Sequence, residues 1–190
     1  MIFTFRSGGQ TGVDRGLFDA FLDYVKNNKN IKNINREESL LIVEFKNGNV
    51  WILTGWCPQG RIADDGKLDS KYPFKETPAS EYKERTEWNV RDAEATLIIL
   101  PSSTYDPKLG GTGFTIKMAE KYGKILQQIY LDHNTVDNIK QLLAWIKNNK
   151  IGQLNIAGPR ESKFPGIQES TYKLMYSLLE RMENNQLIND

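Results

Sequence analysis

Three short segments, rich in glycine and in hydrogen-bond donors, carry most of the chemistry that this 190-residue chain could do. Ser7-Gly8-Gly9-Gln10-Thr11-Gly12-Val13-Asp14-Arg15-Gly16 turns a short strand directly into a helix. Gly110-Gly111-Thr112-Gly113 follows the apolar run Thr96–Leu100 and opens a helix expected to begin near Phe114. Ala157-Gly158-Pro159-Arg160-Glu161-Ser162-Lys163 follows a third strand and precedes the last helix. A glycine-rich strand-to-helix turn leaves backbone N–H groups unpaired and aims them, with the helix dipole, at one point. Such a point suits an anion, most often a phosphate. Gln10, Thr11 and Arg15 add donors with little bulk, and Arg160 is placed to grip two phosphate oxygens at once. One turn of this kind also fits ordinary helix capping. Three at the carboxyl ends of strands point to a shared ligand site.

The elements that must hold these turns alternate strand and helix, which argues for an α/β, Rossmann-like, mainly parallel sheet with helices on both faces. Ile2–Phe5 reads as a buried edge of that sheet, and Leu17, Phe18, Phe21, Leu22 and Val25 recur at helical spacing behind the first turn. Lys26 to Asn35 is rich in Asn and Lys and reads as a surface connection. Leu40–Phe45 and Val50–Thr54 flank Asn47-Gly48, a strong hairpin signal, so an antiparallel hairpin is expected at or beside the second strand position. It is expected to be an elaboration (about 27–54) outside the site. Its edge invites pairing, so a homo-oligomer, dimer or tetramer, is expected. Thr77-Pro78 reads as a helix start, with a capping hydroxyl and proline in the first turn. On that helix Tyr82, Arg85, Thr86 and Asn89 form a polar stripe, either solvated or turned to the ligand. Later helices are expected from Val136 to Asn148, with Val136 inward, and from Ile167 to Met182. No internal repeat appears, and only the last few polar residues read as disordered.

Composition narrows the function. The length suits one domain over 1–190. A formal net charge of +1 excludes the basic stripe of a dedicated nucleic-acid binder. There is no apolar leader and no run of membrane length. One cysteine, Cys57, excludes an internal disulfide and a Cys-rich metal site, and a reducing cytoplasmic setting follows most simply. One histidine, His133, sits just after a strand and reads as a loop residue rather than a catalytic one.

Several motifs in order resemble one family. They are Ser7–Gly16, Gly55-Trp56-Cys57-Pro58-Gln59-Gly60-Arg61 with Ala63–Gly66, Arg85–Asp92, Gly110–Thr112 and Ala157–Ser162. Together they are similar to the putative molybdenum carrier family across the whole chain, except for about Asn27 to Val50. That family looks like a branch of a Rossmann-like superfamily with lysine-decarboxylase-like phosphoribohydrolases and DNA-processing proteins. The resemblance implies binding of a nucleotide or of the molybdenum cofactor, a phosphorylated pterin, with no stand-alone metal site. The ligand-binding candidates become Gly8, Gly9, Gln10, Thr11, Gly12, Arg15, Arg61, Arg85, Asn89, Gly110, Gly111, Thr112, Thr115, Arg160 and Ser162. Trp56 and Trp88 are candidates to stack on a ring. A soft thiolate suits molybdenum, which makes Cys57 a candidate ligand, against the alternative of a buried core cysteine.

The hydrolase branch carries Pro-Gly-Gly-x-Gly-Thr-x-x-Glu. Laid on Gly110–Lys117, that pattern places Lys117 where the glutamate stands, while Arg85 matches the branch's helix arginine. Cleaving an N-glycosidic bond needs a carboxylate beside the positive sugar. The resemblance therefore implies a binder rather than a hydrolase. The alternative is a nucleoside-monophosphate phosphoribohydrolase using Arg85 with Glu87 or Asp14, or a nucleotide sensor.

Overall fold

The most apolar run of the chain, Ala95–Leu100, has every residue buried, as a strand covered on both faces requires. Around it the computed structural model, which describes residues 1–108 and 110–184, builds a seven-stranded sheet. The polar residues expected to be disordered at the end lie outside the described residues. In chain order the elements are β1 (Ile2–Arg6), α1 (Val13–Asn27), β2 (Ile31–Arg36), β3 (Leu40–Phe45), β4 (Val50–Thr54) and the two-residue strands β5 (Trp56–Cys57), β6 (Ile62–Ala63), β7 (Gly66–Lys67) and β8 (Lys75–Glu76). Then come α2 (Tyr82–Arg91), β9 (Ala95–Leu100), α3 (Gly110–Lys121), β10 (Ile125–Tyr130), α4 (Thr135–Asn148), β11 (Gln153–Ala157) and α5 (Ile167–Asn184).

The strand order is β10-β9-β11-β1-β4-β3-β2, parallel from β10 through β4 and antiparallel beyond. Right-handed crossovers fix where the helices go. The steps from β1 to β4 and from β10 to β11 move one way along the sheet, which sends α1 and α4 to one face. Those from β4 to β9 and from β9 to β10 move the other way, which sends α2 and α3 to the opposite face. The packing agrees, since α5 lies on α1 and α4, and α2 lies on α3. The chain thus leaves the adjacent strands β9 and β11 toward opposite faces, and a crevice opens at their carboxyl ends. Phe3, Phe5, Phe21, Phe45 and Trp51 fill the core on the α1 side, with ring centroids of Phe45 and Trp51 4.6 Å apart.

The fold corrects several expectations from the sequence. β1 is no edge, because β11 and β4 flank it. The Asn/Lys-rich connection contains β2, whose mostly exposed Lys, Asn and Arg side chains make it a polar sheet edge. Only β2 and β3 are added to the parallel sheet; β4, the hairpin's second strand, pairs in parallel with β1. The helix expected from Pro78 starts at Tyr82, and the Thr77 hydroxyl donates to the Ala79 carbonyl at 2.8 Å instead of capping it. In α4, Val136 is exposed while Ile139, Leu142 and Ile146 face inward.

Candidate ligand-binding site

A cavity of about 880 Å³ opens where the crevice is expected. Four segments line it: Gln10 and Asp14 after β1, Glu81–Thr86 around the start of α2, Tyr105 with the first turns of α3 after β9, and Ala157–Lys163 after β11. β11 separates β1 from β9 in the sheet, and the segments that follow these two strands line the same cavity. Lys83, Arg85, Arg160 and Lys163 outnumber Asp14 and Glu81 around it, which favours an anionic ligand. Tyr82, Tyr105 and Phe114 supply ring surfaces.

The two glycine turns differ in what their amides do. In the first, Gln10 N–H donates to Asp14, Thr11 N–H to the Gln10 side-chain oxygen, Gly12 N–H to Gln168 of α5, and Val13 N–H to the Pro159 carbonyl. A Cβ at Gly8 would stand 1.6 Å from an Arg85 nitrogen, and one at Gly12, where φ is +84°, 2.4 Å from the Pro159 oxygen. A Cβ at Gly9 would press on Phe74 at 2.6 Å. These glycines let the β1–α1 turn pack against α2 and the β11–α5 loop. They do not leave it open to a ligand.

At α3 the situation is reversed. The helix starts at Gly110, earlier than the sequence suggests, and a Cβ at Gly110 or Gly111 would meet nothing within 4 Å among the described residues. Thr112 and Thr115 are buried and line the cavity, with the Thr115 hydroxyl donating to the Gly111 carbonyl. The N-terminus of α3 is thus the more open of the two among the described residues, and Arg160 and Lys163 line the same cavity. The β1–α1 turn is less open to an anion, because its amides already donate to protein oxygens and Asp14, balanced by Arg85, stands there.

Asp14 and Arg85 form a buried pair, with the guanidinium 3.0 Å from Asp14 Oδ2, so breaking it from one side would strand a charge. Arg160 lines the cavity. It pairs with Asp64 at 2.8 Å and lies 4.9 Å from the centre of the Tyr82 ring, and Ser162 donates to the other Asp64 oxygen. The Asp64 backbone N–H in turn donates to the Gln10 side chain.

Other candidates do not line the cavity. Arg15 donates to Asp65 at 3.0 Å and to the Gly9 carbonyl; burial opposes its charge, but Asp65 more than offsets this and raises its pKa. Arg61 donates to the Leu68, Asp69 and Tyr72 carbonyls and ties down the loop between β6 and β8. Asn89 is buried and clamps both backbone groups of Trp56, at 2.9 Å each. Glu87 faces Lys121 and Tyr122, whose hydrogen bonds lower its pKa, so it is no carboxylate of the cavity. Lys117 is exposed and outside the lining. Trp56 and Trp88 pack edge to face on each other, 4.7 Å apart, instead of presenting a platform. Cys57 is fully buried, and burial pushes its thiol up to about 11, which disfavours the thiolate that a metal would need. No group of three or more His, Cys, Asp or Glu suited to a metal occurs among the described residues. His133 lies half-exposed beside Tyr130 in the loop after β10.

Sequence reasoning missed Tyr105, Phe114, Lys83 and Lys163 as lining residues, and Asp64 as the partner of Arg160. None carries a local signal. Tyr105 and Lys163 sit in loops whose path only the fold sets, and Asp64 reaches Arg160 from 96 residues away.

The sequence pattern of the circularly permutated YpsA SLOG family matches residues 5–179. The chain belongs to this family. It is also similar to a solved structure from Syntrophus aciditrophicus SB, the crystal structure of a putative molybdenum carrier protein. The two are 32% identical, with a TM-score of 0.71 over 92% of this chain and 94% of that one. No curated protein matches the chain. The fold and the resemblance expected from the motifs are thereby confirmed for this family member. No described helix is long and apolar enough to cross a membrane.

Proposed function

We propose that the protein binds a phosphorylated, ring-bearing small molecule, a nucleotide or a phosphorylated pterin of the molybdenum-cofactor kind. Its phosphate would sit on the first turn of α3 beside Arg160 and Lys163, with its ring among Tyr82, Tyr105 and Phe114. The observation that carries this reading is the open approach to Gly110 and Gly111 at the wall of a large, cation-rich cavity. Similarity to the Syntrophus protein, a putative molybdenum carrier, supports a molybdenum-related cargo. The lining fits the organic, phosphorylated part of such a cargo, since it offers nitrogen and oxygen donors and no thiol or imidazole. Phosphate and ring recognition therefore fall to this chain, and no metal bond is assigned to it. The same reading takes the protein as a cytoplasmic homo-oligomer that does not engage nucleic acid, supported by the lone buried thiol and the exposed β2 edge.

The test is calorimetry with AMP, adenosine and pyrophosphate on the wild type and Arg160→Ala. Losing a hydrogen bond to a charged group should cost about 1.5–3 kcal/mol, roughly ten- to hundredfold in affinity, for AMP and pyrophosphate but not for adenosine. An equal loss for AMP and adenosine would place Arg160 away from the phosphate. Release of adenine from AMP that disappears in Asp14→Asn would replace binding with hydrolysis.

A further inference from the structure

We infer that the face of β1, β4 and β3 turned away from α1 docks a second copy of this chain, as a two-fold pair in which Arg6 of each copy meets Glu44 of the other. This rests on the homo-oligomer reading above and assigns it a surface. Parallel strands inside a sheet are normally covered on both faces. On these three strands the residues that face α1, such as Phe3, Val43 and Trp51, are buried in the core, but their alternating neighbours are not. Ile2 is 64% exposed, and Leu40, Ile42, Val50 and Ile52 keep part of their surface and lie outside the core. The helices of that side, α2 and α3, pack on each other and on β5, β9 and β10 instead. Contiguous apolar side chains left uncovered in this way mark an interaction surface.

Charge decides the occupant. The register sets the face out as a grid, with Ile2 beside Val50 and Val50 beside Glu44 in the first row. Ile52 holds the centre of the second row, and Arg6, Thr54 and Leu40 form the third. Arg6 and Glu44 therefore stand at opposite corners. Neither forms an ion pair among the described residues. Burial lowers the Arg6 pKa, and nearby Asp92 offsets this only in part, so the guanidinium is short of a carboxylate.

A two-fold axis along the diagonal through Ile2, Ile52 and Leu40 lays each of these three on its own counterpart. The same rotation brings Arg6 over the partner's Glu44 and Glu44 over the partner's Arg6. The strands of the two sheets then cross at near right angles, one of the two ways in which sheets pack face to face. The face is thus complementary to itself, apolar along one diagonal and oppositely charged at the ends of the other, as an isologous contact requires. A wholly acidic or wholly basic partner would leave one corner charge covered and unpaired.

Sedimentation equilibrium on the intact protein tests this. The wild type should dimerise, and Ile52→Lys, at the centre of the contact, should weaken the dimer about thirtyfold or more. Arg6→Glu and Glu44→Arg should each weaken it about tenfold by setting like charges together. The double variant carrying both should restore it, a rescue that a merely structural role for either residue would not produce. Circular dichroism reports whether the variants fold, and if Ile52→Lys does not, the charge-reversal series carries the test. A wild type that stays monomeric would overturn both the interface and the homo-oligomer reading. An oligomer that none of these substitutions weakens would overturn the interface and spare that reading. Weakening by the single charge reversals without rescue in the double variant would overturn the two-fold arrangement.

Discussion

The β1–α1 turn and the first turn of α3 look alike in sequence, each a run of glycines with a threonine ahead of a helix, yet the fold uses them in opposite ways. In the first, the N–H groups of residues 10–13 are all satisfied by protein oxygens, and missing Cβ atoms make room for Arg85, Phe74 and the β11–α5 loop. In the second, Cβ atoms at Gly110 and Gly111 would meet nothing within 4 Å among the described residues, in a cavity that cationic side chains also line. A glycine can thus serve chain against chain or chain against ligand, and sequence alone does not separate the two.

The sharpest way to break this comparison is to add a methyl group on each side. Gly12→Ala should destabilise the protein by about 3 kcal/mol or more, because φ +84° and the Pro159 oxygen both reject a Cβ. For a chain of this size that is a fall in Tm of roughly 6–12 °C. Gly111→Ala should leave Tm unchanged or slightly raised, since alanine is the better helix former by up to about 1 kcal/mol, while weakening pyrophosphate binding. Thermal melts and calorimetry read both. Equal destabilisation by the two substitutions would erase the distinction.

A smaller effect tests how dry the closed side is. Behind the first turn, Gly55 packs on the Ser7 carbonyl, and Cys57 lies fully buried two residues later. Its folded pKa, raised to about 11 by burial, exceeds the unfolded value of about 8.5. The thiol's contribution is therefore complete below about pH 8.5 and lost as pH rises toward 11, costing at most about 3.4 kcal/mol. Tyr24 and Tyr72, also raised chiefly by burial, add to the loss above pH 10. Tm measured from pH 8 to 10.5 should fall less steeply in Cys57→Ala. A native thiol that reacts at neutral pH as fast as the unfolded one would show this side to be open.

The smallest expected effect sharpens the open side. Asp64 pairs with Arg160 at the cavity wall, and such partly exposed pairs are worth at most about 1 kcal/mol. Asp64→Asn should free the guanidinium and raise pyrophosphate affinity a few-fold in calorimetry. Weaker binding would mean that Asp64 orients Arg160 for the ligand rather than competing with it.

Much of this was legible in the chain. Alternating strands and helices, the Asn47-Gly48 hairpin and three glycine turns at strand ends lead to the sheet and to the side of it where the cavity lies. Arg85, Thr112, Thr115, Gln10 and Arg160 line the cavity as nominated. The nominations of Arg15, Arg61 and Asn89 assumed that a polar side chain near a glycine turn serves a ligand. Burial made each of them a tie for backbone carbonyls or a neighbouring segment, which only tertiary packing decides. β2 escaped notice because a polar edge strand needs no apolar pattern.

The place of β11 in the sheet has a consequence for how the protein is made. This strand comes last among the described strands, yet it sits between β9 and β1 and completes both. During synthesis, until it emerges, β1 and β9 each present an unpaired parallel edge, the kind of surface on which nascent chains misassociate. The cavity cannot exist in that interval either, since Arg160 and the Pro159 carbonyl that receives Val13 arrive with the same segment. On the binding reading proposed above, ligand capture would report that the sheet has closed. Any ligand present at that moment adds its binding free energy to the whole fold rather than to one loop.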